Sequence, residues 1–130
     1  MVFPKENKSR RLNRKDRMIL ILKRDGNACV WCRKPFYDHL ILPTTEHLVP
    51  KIKGGPSWLE NELAACKPCN RLRGHSTIGQ WLYECEQKGW APNRTTIINS
   101  LKALKAAIRQ RGGQRRARSY IDAQLRRIDK

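Results

Sequence analysis

The sequence predicts an α+β fold, in which a small core of two strands and a helix is held by a four-cysteine metal site and flanked by basic helices. Two Cys-x-x-Cys pairs, Cys29/Cys32 and Cys66/Cys69, bracket a segment with strand character. Most of the positive charge lies outside that segment. At 130 residues the chain is long enough for one modest core and short enough to gain stability from a bound metal.

The first element is a basic helix. It runs from Arg10 to Arg24, carries Leu12, Ile19 and Leu22 on one side, and stops at Asp25-Gly26. We therefore assign residues 1–24 to a basic N-terminal helical arm.

The central module, residues 25–76, supplies the strands. Residues 40–47 (LILPTTEH) have strand character, and Glu62 to Ala65 could return antiparallel to them after the Gly54-Gly55-Pro56 turn. A helix is expected to open at Cys69 and to reach Gly74. This arrangement brings the two cysteine pairs together.

Four thiolates in two such pairs suit zinc in a closed, tetrahedral structural site. We expect Cys29, Cys32, Cys66 and Cys69 to bind one Zn²⁺. The fifth cysteine, Cys85, falls on an apolar helix face, so it is expected to be a core residue rather than a ligand or nucleophile.

Residues 77–130 are predicted to form a helical, basic C-terminal extension. A short helix ends near Gly89, a second is capped by Asn93 and broken at Gly112-Gly113, and a third follows. Residues 111–118 are interpreted as a flexible basic hinge. The helices have too few large apolar residues for a core of their own, so they either pack on the module or fold against DNA. Their apolar faces carry Ile78, Trp81, Leu82, Ile97, Leu101, Leu104, Ile108, Ile121, Leu125 and Ile128.

Charge indicates a polyanionic partner. The chain has 28 Lys+Arg against 11 Asp+Glu, a net charge of +17. Residues 1–24 carry +7 (nine basic, two acidic), residues 25–93 carry +1 (eight and seven) and residues 94–130 carry +9 (eleven and two). Basic arms favour DNA, because Lys and Arg contacts to phosphates release counterions. The residues expected to contact DNA are Arg10, Arg11, Arg14, Lys51, Lys53, Arg71, Arg73, Arg115, Arg116 and Arg118.

A second, open site is expected inside the module. A strand pair followed by a helix places Glu46 opposite Asn70, across a gap that a metal ion could fill, with His47 pointing at a bound phosphate. Carboxylate, imidazole and amide donors suit a hard divalent cation, and a neutral imidazole can activate water.

These motifs resemble those of HNH endonucleases of the ββα-metal (His-Me finger) class, in their four-cysteine form. The resemblance covers roughly residues 17–75, and the intervals from His47 to Asn61 (14) and from Asn61 to Asn70 (9) agree with it. The matching segments are Cys29-x-x-Cys32, Glu46-His47-Leu48-Val49-Pro50, Gly54-Gly55, Asn61 and Cys66-x-x-Cys69-Asn70.

The resemblance implies a role for each matching residue. His47 would be the general base, Glu46 and Asn70 the ligands of a catalytic Mg²⁺ or Mn²⁺, and Asn61 the residue that braces the loop and orients His47. Glu46 stands where the family more often has Asp, and Asn70 where it often has His. Both departures leave the preferred metal open.

The sequence thus predicts a metal-dependent endonuclease that nicks or cleaves double-stranded DNA with low sequence specificity, in a phage or mobile-element context that could include the packaging machinery. A non-catalytic zinc-ribbon protein that binds nucleic acid is the alternative, although binding alone would not need Glu46, His47, Asn61 and Asn70.

The sequence leaves the oligomeric state open between a monomer and a dimer. No apolar run reaches membrane-span length and no signal peptide is evident, so we expect no membrane partner and a cytoplasmic protein of a bacterial or phage-infected cell.

Overall fold

The computed structural model describes residues 12–36 and 40–130. Within them, five α-helices accompany one two-stranded antiparallel sheet, which confirms the predicted α+β class. Arg10 and Arg11, two of the expected DNA contacts, lie outside the described residues. In chain order the elements are α1 (Arg14–Asp25), β1 (Pro43–His47), β2 (Glu62–Cys66), α2 (Lys67–Arg73), α3 (Ile78–Gln87), α4 (Arg94–Arg111) and α5 (Arg115–Ile128).

The sheet separates α1 from α2. Its register pairs Glu46 with Leu63 and His47 with Glu62. Because neighbouring strand residues point to opposite faces, Glu46 and His47 are directed to different sides. On the Glu46 side α2 supplies Arg73, and on the His47 side α1 supplies Arg17.

The strands and α1 differ slightly from the expected bounds. β1 begins at Pro43 rather than Leu40, and β2 extends one residue further, to Cys66. Among the described residues α1 begins after Asn13, whose side chain accepts a hydrogen bond from the Asp16 N–H. Gly26, with φ of 93°, ends it at the predicted stop.

A row of tryptophans forms the centre of the core. Trp31 and Trp81 pack edge to face with their ring centres 6.2 Å apart, and Trp81 meets Trp90 in the same way at 6.3 Å. Cys85 is fully buried beside them, and burial raises the pKa of its thiol to about 12. The prediction that Cys85 is a core residue is confirmed.

The C-terminal helices are part of the same core, which resolves the earlier alternative in favour of packing on the module. Ile97, Leu101, Leu104 and Ile121 are at 0 % exposure and belong to one cluster with the tryptophans. Burial of this kind contributes about 1.5–3 kcal/mol per large apolar side chain, so α4 and α5 stabilise the module.

The prediction of a flexible hinge over residues 111–118 is wrong. α5 already begins at Arg115, so only residues 112–114 connect it to α4. Gln124 fixes the far side of α5 by accepting a hydrogen bond of 2.8 Å from the Gly79 N–H of α3. No helix in the described part of the chain is long and apolar enough to cross a membrane.

Candidate active site and metal centre

The four paired cysteines converge at one end of the sheet. Cys29 and Cys32 lie in a tight turn that ends at Arg33, whose φ is 69°. Cys66 ends β2 and Cys69 lies in the first turn of α2. The four sulfur atoms all lie within 4.8 Å of one another.

This geometry fits zinc. Four thiolates bound at about 2.3 Å in a tetrahedron have sulfur atoms about 3.8 Å apart. The Cys32 and Cys66 sulfurs are 3.8 Å apart, and a hydrogen bond from Cys69 lowers the pKa of Cys29 to about 4. A structural zinc held here would tie the Cys29–Cys32 turn to the start of α2.

His47 lies at the end of β1, with its side chain 17 % exposed. Its Nε2 atom is 3.0 Å from the Ser57 hydroxyl and 3.8 Å from Glu62 Oε2. Its Nδ1 atom makes no hydrogen bond with any residue the structure describes. One ring nitrogen is therefore held by the protein and the other is available to solvent or substrate.

Three effects act on the pKa of His47. Burial lowers its pKa, and the positive charges of Lys51, Arg17 and Arg14 lower it further, against the opposing effect of Glu62. The imidazole is consequently neutral at neutral pH, the form that can accept a proton.

Asn61 braces the loop that follows His47. Asn61 is fully buried; its Oδ1 accepts from the Val49 N–H at 2.8 Å, and its Nδ2 donates to the carbonyls of Val49 and Pro56. A Cβ on Gly55 would lie 1.8 Å from the Val49 oxygen. Asn61 thus shapes the backbone beside His47 without touching the imidazole.

The surroundings of the Glu46 carboxylate differ from those expected of a metal ligand in an open site. Glu46 is 5 % exposed, its Oε1 is 3.1 Å from the Arg73 guanidinium, and its Oε2 accepts from Trp31 Nε1 at 2.9 Å. Burial raises the pKa of this carboxyl, while Arg73 and the Trp31 hydrogen bond oppose the effect. Both carboxylate oxygens are already engaged.

Asn70 reaches a different part of β1. Its Nδ2 donates to the Thr44 hydroxyl at 3.2 Å and to the Thr45 carbonyl at 3.1 Å. Arg73, rather than Asn70, faces the Glu46 carboxylate. In this conformation Glu46 and Asn70 do not fit an open divalent-ion site, because Arg73 would first have to leave Glu46. Their role as ligands stays a prediction.

The prediction that Arg73 contacts DNA is wrong. Arg73 is 1 % exposed, and its guanidinium donates to Glu46, to the carbonyls of His47 and Leu48, and to the Tyr120 hydroxyl. It cannot contact a phosphate from this position. The other described residues expected on DNA are exposed, namely Arg14, Lys51, Lys53, Arg71, Arg115, Arg116 and Arg118.

Sequence reasoning missed Arg17 and Glu62. Glu62 is 1 % exposed, and Arg17 holds it with two contacts, Nε to Oε1 at 2.6 Å and Nη2 to Oε2 at 3.4 Å. One signal was present, because an acidic residue opens the otherwise apolar run ELAAC. A charge in a buried strand needs a partner, and the basic helix α1 supplies it.

Comparison with known proteins agrees with the motifs. Residues 29–81 match the family model for HNH endonucleases, which confirms the family resemblance. Neither the curated proteins nor the solved structures contain a match to the chain.

Proposed function

We propose that this protein is an endonuclease that hydrolyses phosphodiester bonds in double-stranded DNA, by nicking or cleavage with low sequence specificity. The match of residues 29–81 to HNH endonucleases supports a nuclease acting on nucleic acid. The net charge of +17 supports a polyanionic substrate. For its setting we propose the cytoplasm of a bacterial or phage-infected cell and a phage or mobile-element context.

One observation carries the proposal, namely the surroundings of His47. This neutral imidazole has one nitrogen that accepts no hydrogen bond from the described residues, and it lies close enough to Arg14, Arg17 and Lys51 for their charges to lower its pKa. A general base must be neutral to accept a proton, and hydrolysis of a phosphodiester needs nearby cations to stabilise the negative charge that develops on the phosphate. Binding alone would require the cations and not the base.

The reaction follows from that arrangement. His47 Nδ1 takes a proton from water, and the water oxygen attacks phosphorus. The bond from phosphorus to the 3′ oxygen breaks, and the leaving oxygen is protonated from solvent. Arg14 and Lys51 are exposed and would interact with the non-bridging oxygens, where negative charge accumulates.

The expected cofactor is Mg²⁺ or Mn²⁺, as the resemblance implies. Glu46 in its paired state does not offer a free ligand atom, whereas Asn70 Oδ1 makes no hydrogen bond within the described residues.

A second candidate is a zinc-containing protein that binds nucleic acid without cleaving it. The Glu46–Arg73 ion pair favours it, because a guanidinium occupies the carboxylate that the family resemblance assigns to the metal. The same cysteines and exposed cations would serve this function.

A plasmid assay separates the two candidates. Supercoiled plasmid is incubated with zinc-loaded protein without added divalent ion, and then with Mg²⁺ or Mn²⁺, while supercoiled, nicked and linear forms are quantified. The proposal predicts nicked or linear product with the added Mg²⁺ or Mn²⁺ and none without it. Exposed His75 provides the matched control, since His75→Ala should cleave normally. Gel-shift binding with no product under any metal condition would overturn the nuclease assignment.

A further inference from the structure

We propose that Glu62 is a positioning residue that fixes the tautomer of His47, placing the hydrogen on Nε2 and the basic lone pair on Nδ1. This inference rests on the proposed function only in so far as His47 acts as the base. Glu62 lies directly across the sheet from His47, as its partner in the strand register.

The Ser57 hydroxyl, 3.0 Å from Nε2, does not choose a tautomer by itself. A hydroxyl can accept from an Nε2–H or donate to an Nε2 lone pair. The choice therefore depends on the next charge near that nitrogen.

Glu62 supplies that charge. A carboxylate accepts hydrogen bonds and cannot donate them, and its Oε2 lies 3.8 Å from His47 Nε2. This distance is too long for a direct hydrogen bond, but it is short enough for the carboxylate to attract an N–H dipole and repel a lone pair. Nε2 therefore carries the hydrogen, and Ser57 accepts it.

Glu62 is also held in place. It is 1 % exposed and Arg17 contacts both of its oxygens, so the carboxylate cannot turn away from His47. Arg17 belongs to α1 and Glu62 to β2, so this helix supports the histidine indirectly. In serine-protease triads a carboxylate also selects the tautomer of an imidazole, there through a direct hydrogen bond.

The Glu62→Gln variant is expected to favour the opposite tautomer of His47. Arg17 only donates hydrogen bonds, so it would retain the amide oxygen and leave the NH₂ group directed towards Nε2 and Ser57. A donor in that place favours a lone pair on Nε2 and moves the hydrogen to Nδ1. A merely structural role for Glu62 would not predict this exchange.

The tautomer can be observed directly by ¹⁵N NMR of the imidazole rings at pH 8, with the His47→Ala spectrum identifying the His47 signals. Wild-type protein should show the Nε2–H form, and Glu62→Gln should shift the tautomer ratio towards Nδ1–H. Ser57→Ala, at an exposed position, should keep the wild-type form. Glu60→Gln is the matched control, because it changes the same residue type two positions away; it weakens the ion pair of Glu60 with Arg111 and should leave the His47 tautomer unchanged.

Kinetics provide the second measurement. Glu62→Gln should lower kcat by roughly 10- to 100-fold, part of the 10²–10⁴ that a general base contributes, with KM for DNA unchanged. It should add no further loss in the His47→Ala background, because both changes remove the same function.

A wild-type His47 in the Nδ1–H form would overturn the inference even if Glu62→Gln did not fold. An unchanged tautomer ratio in folded Glu62→Gln would also overturn it. A protein that shows the expected tautomers but cleaves no DNA would refute the proposed function and support the placement of the hydrogen by Glu62.

Discussion

Substitution of Arg73 tests how much its buried ion pair stabilises the packing of α2 on the sheet. The Arg73 guanidinium is the buried partner of Glu46 and also donates to two backbone carbonyls of the segment that contains His47. In Arg73→Met the side chain keeps much of its apolar stem, but Glu46 is left buried, and Trp31 is then its one hydrogen-bond partner among the described residues.

The expected loss is large. Removing one member of a buried ion pair costs about 3–5 kcal/mol, a major part of the roughly 5–15 kcal/mol that stabilises a typical domain. With a urea dependence of about 1–3 kcal/mol per M, the midpoint of unfolding should fall by about 2 M. Urea unfolding of the zinc-loaded protein, followed by circular dichroism, measures this shift.

Two controls make the result interpretable. Arg71→Met alters an exposed arginine of the same helix and should change stability by no more than about 0.5 kcal/mol. The double variant Arg73→Met/Glu46→Gln removes both charges and should recover about half of the loss. An Arg73→Met protein within about 1 kcal/mol of wild type would refute the buried ion pair as a structural element.

Three further predictions concern the zinc site, the pH dependence and the basic surface. Cys66→Ser should lose zinc in elemental analysis together with most helical circular dichroism, because structural zinc contributes directly to folding; an unchanged, zinc-free fold would contradict this. The half-maximal cleavage rate should lie below pH 6.5, because burial lowers the pKa of His47 from that ordinary value and keeps the base neutral to lower pH; a half-maximal rate above pH 6.5 would be inconsistent with this. Replacing three exposed arginines of α5 with Gln should make the slope of log DNA affinity against log salt concentration shallower by up to about 3, because each phosphate contact contributes about 0.9. Lys102→Gln is the control: Lys102 is paired with Asp129, so this change should leave the slope nearly unchanged. The three arginines are Arg115, Arg116 and Arg118, and an unaltered slope would remove them from the interface.

The sequence predicted the parts of this site that depend on local spacing. Two Cys-x-x-Cys pairs require their sulfurs to meet if the strands pair, and the sulfurs do meet. The role of Asn61 was implied by the family resemblance and not by spacing; in the structure its amide contacts the backbone of the loop.

The ion pairs could not be predicted in this way. Arg17 and Glu62 are 45 residues apart, and Arg73 and Glu46 are 27 apart. Which arginine reaches which carboxylate depends on how α1 and α2 pack on the two faces of the sheet. A pattern of charges along the chain does not contain that information.

The C-terminal helices illustrate the same limit. Their exposed faces carry the basic residues, so the charge pattern alone suggested a basic extension outside the module. Their apolar faces complete the core, with Ile97 and Leu101 fully buried. Deleting residues 94–130 is therefore expected to unfold the module, and charge substitutions are the appropriate test of DNA binding.

The central claim, that His47 is the general base of a nuclease, is tested most directly by single-turnover cleavage of plasmid DNA by His47→Ala. The account predicts a rate reduced by roughly 10²–10⁴, with zinc content, thermal unfolding and DNA affinity all at wild-type values. His75→Ala serves as the control and should cleave at the wild-type rate. A folded His47→Ala protein that cleaves as fast as wild type would contradict the claim.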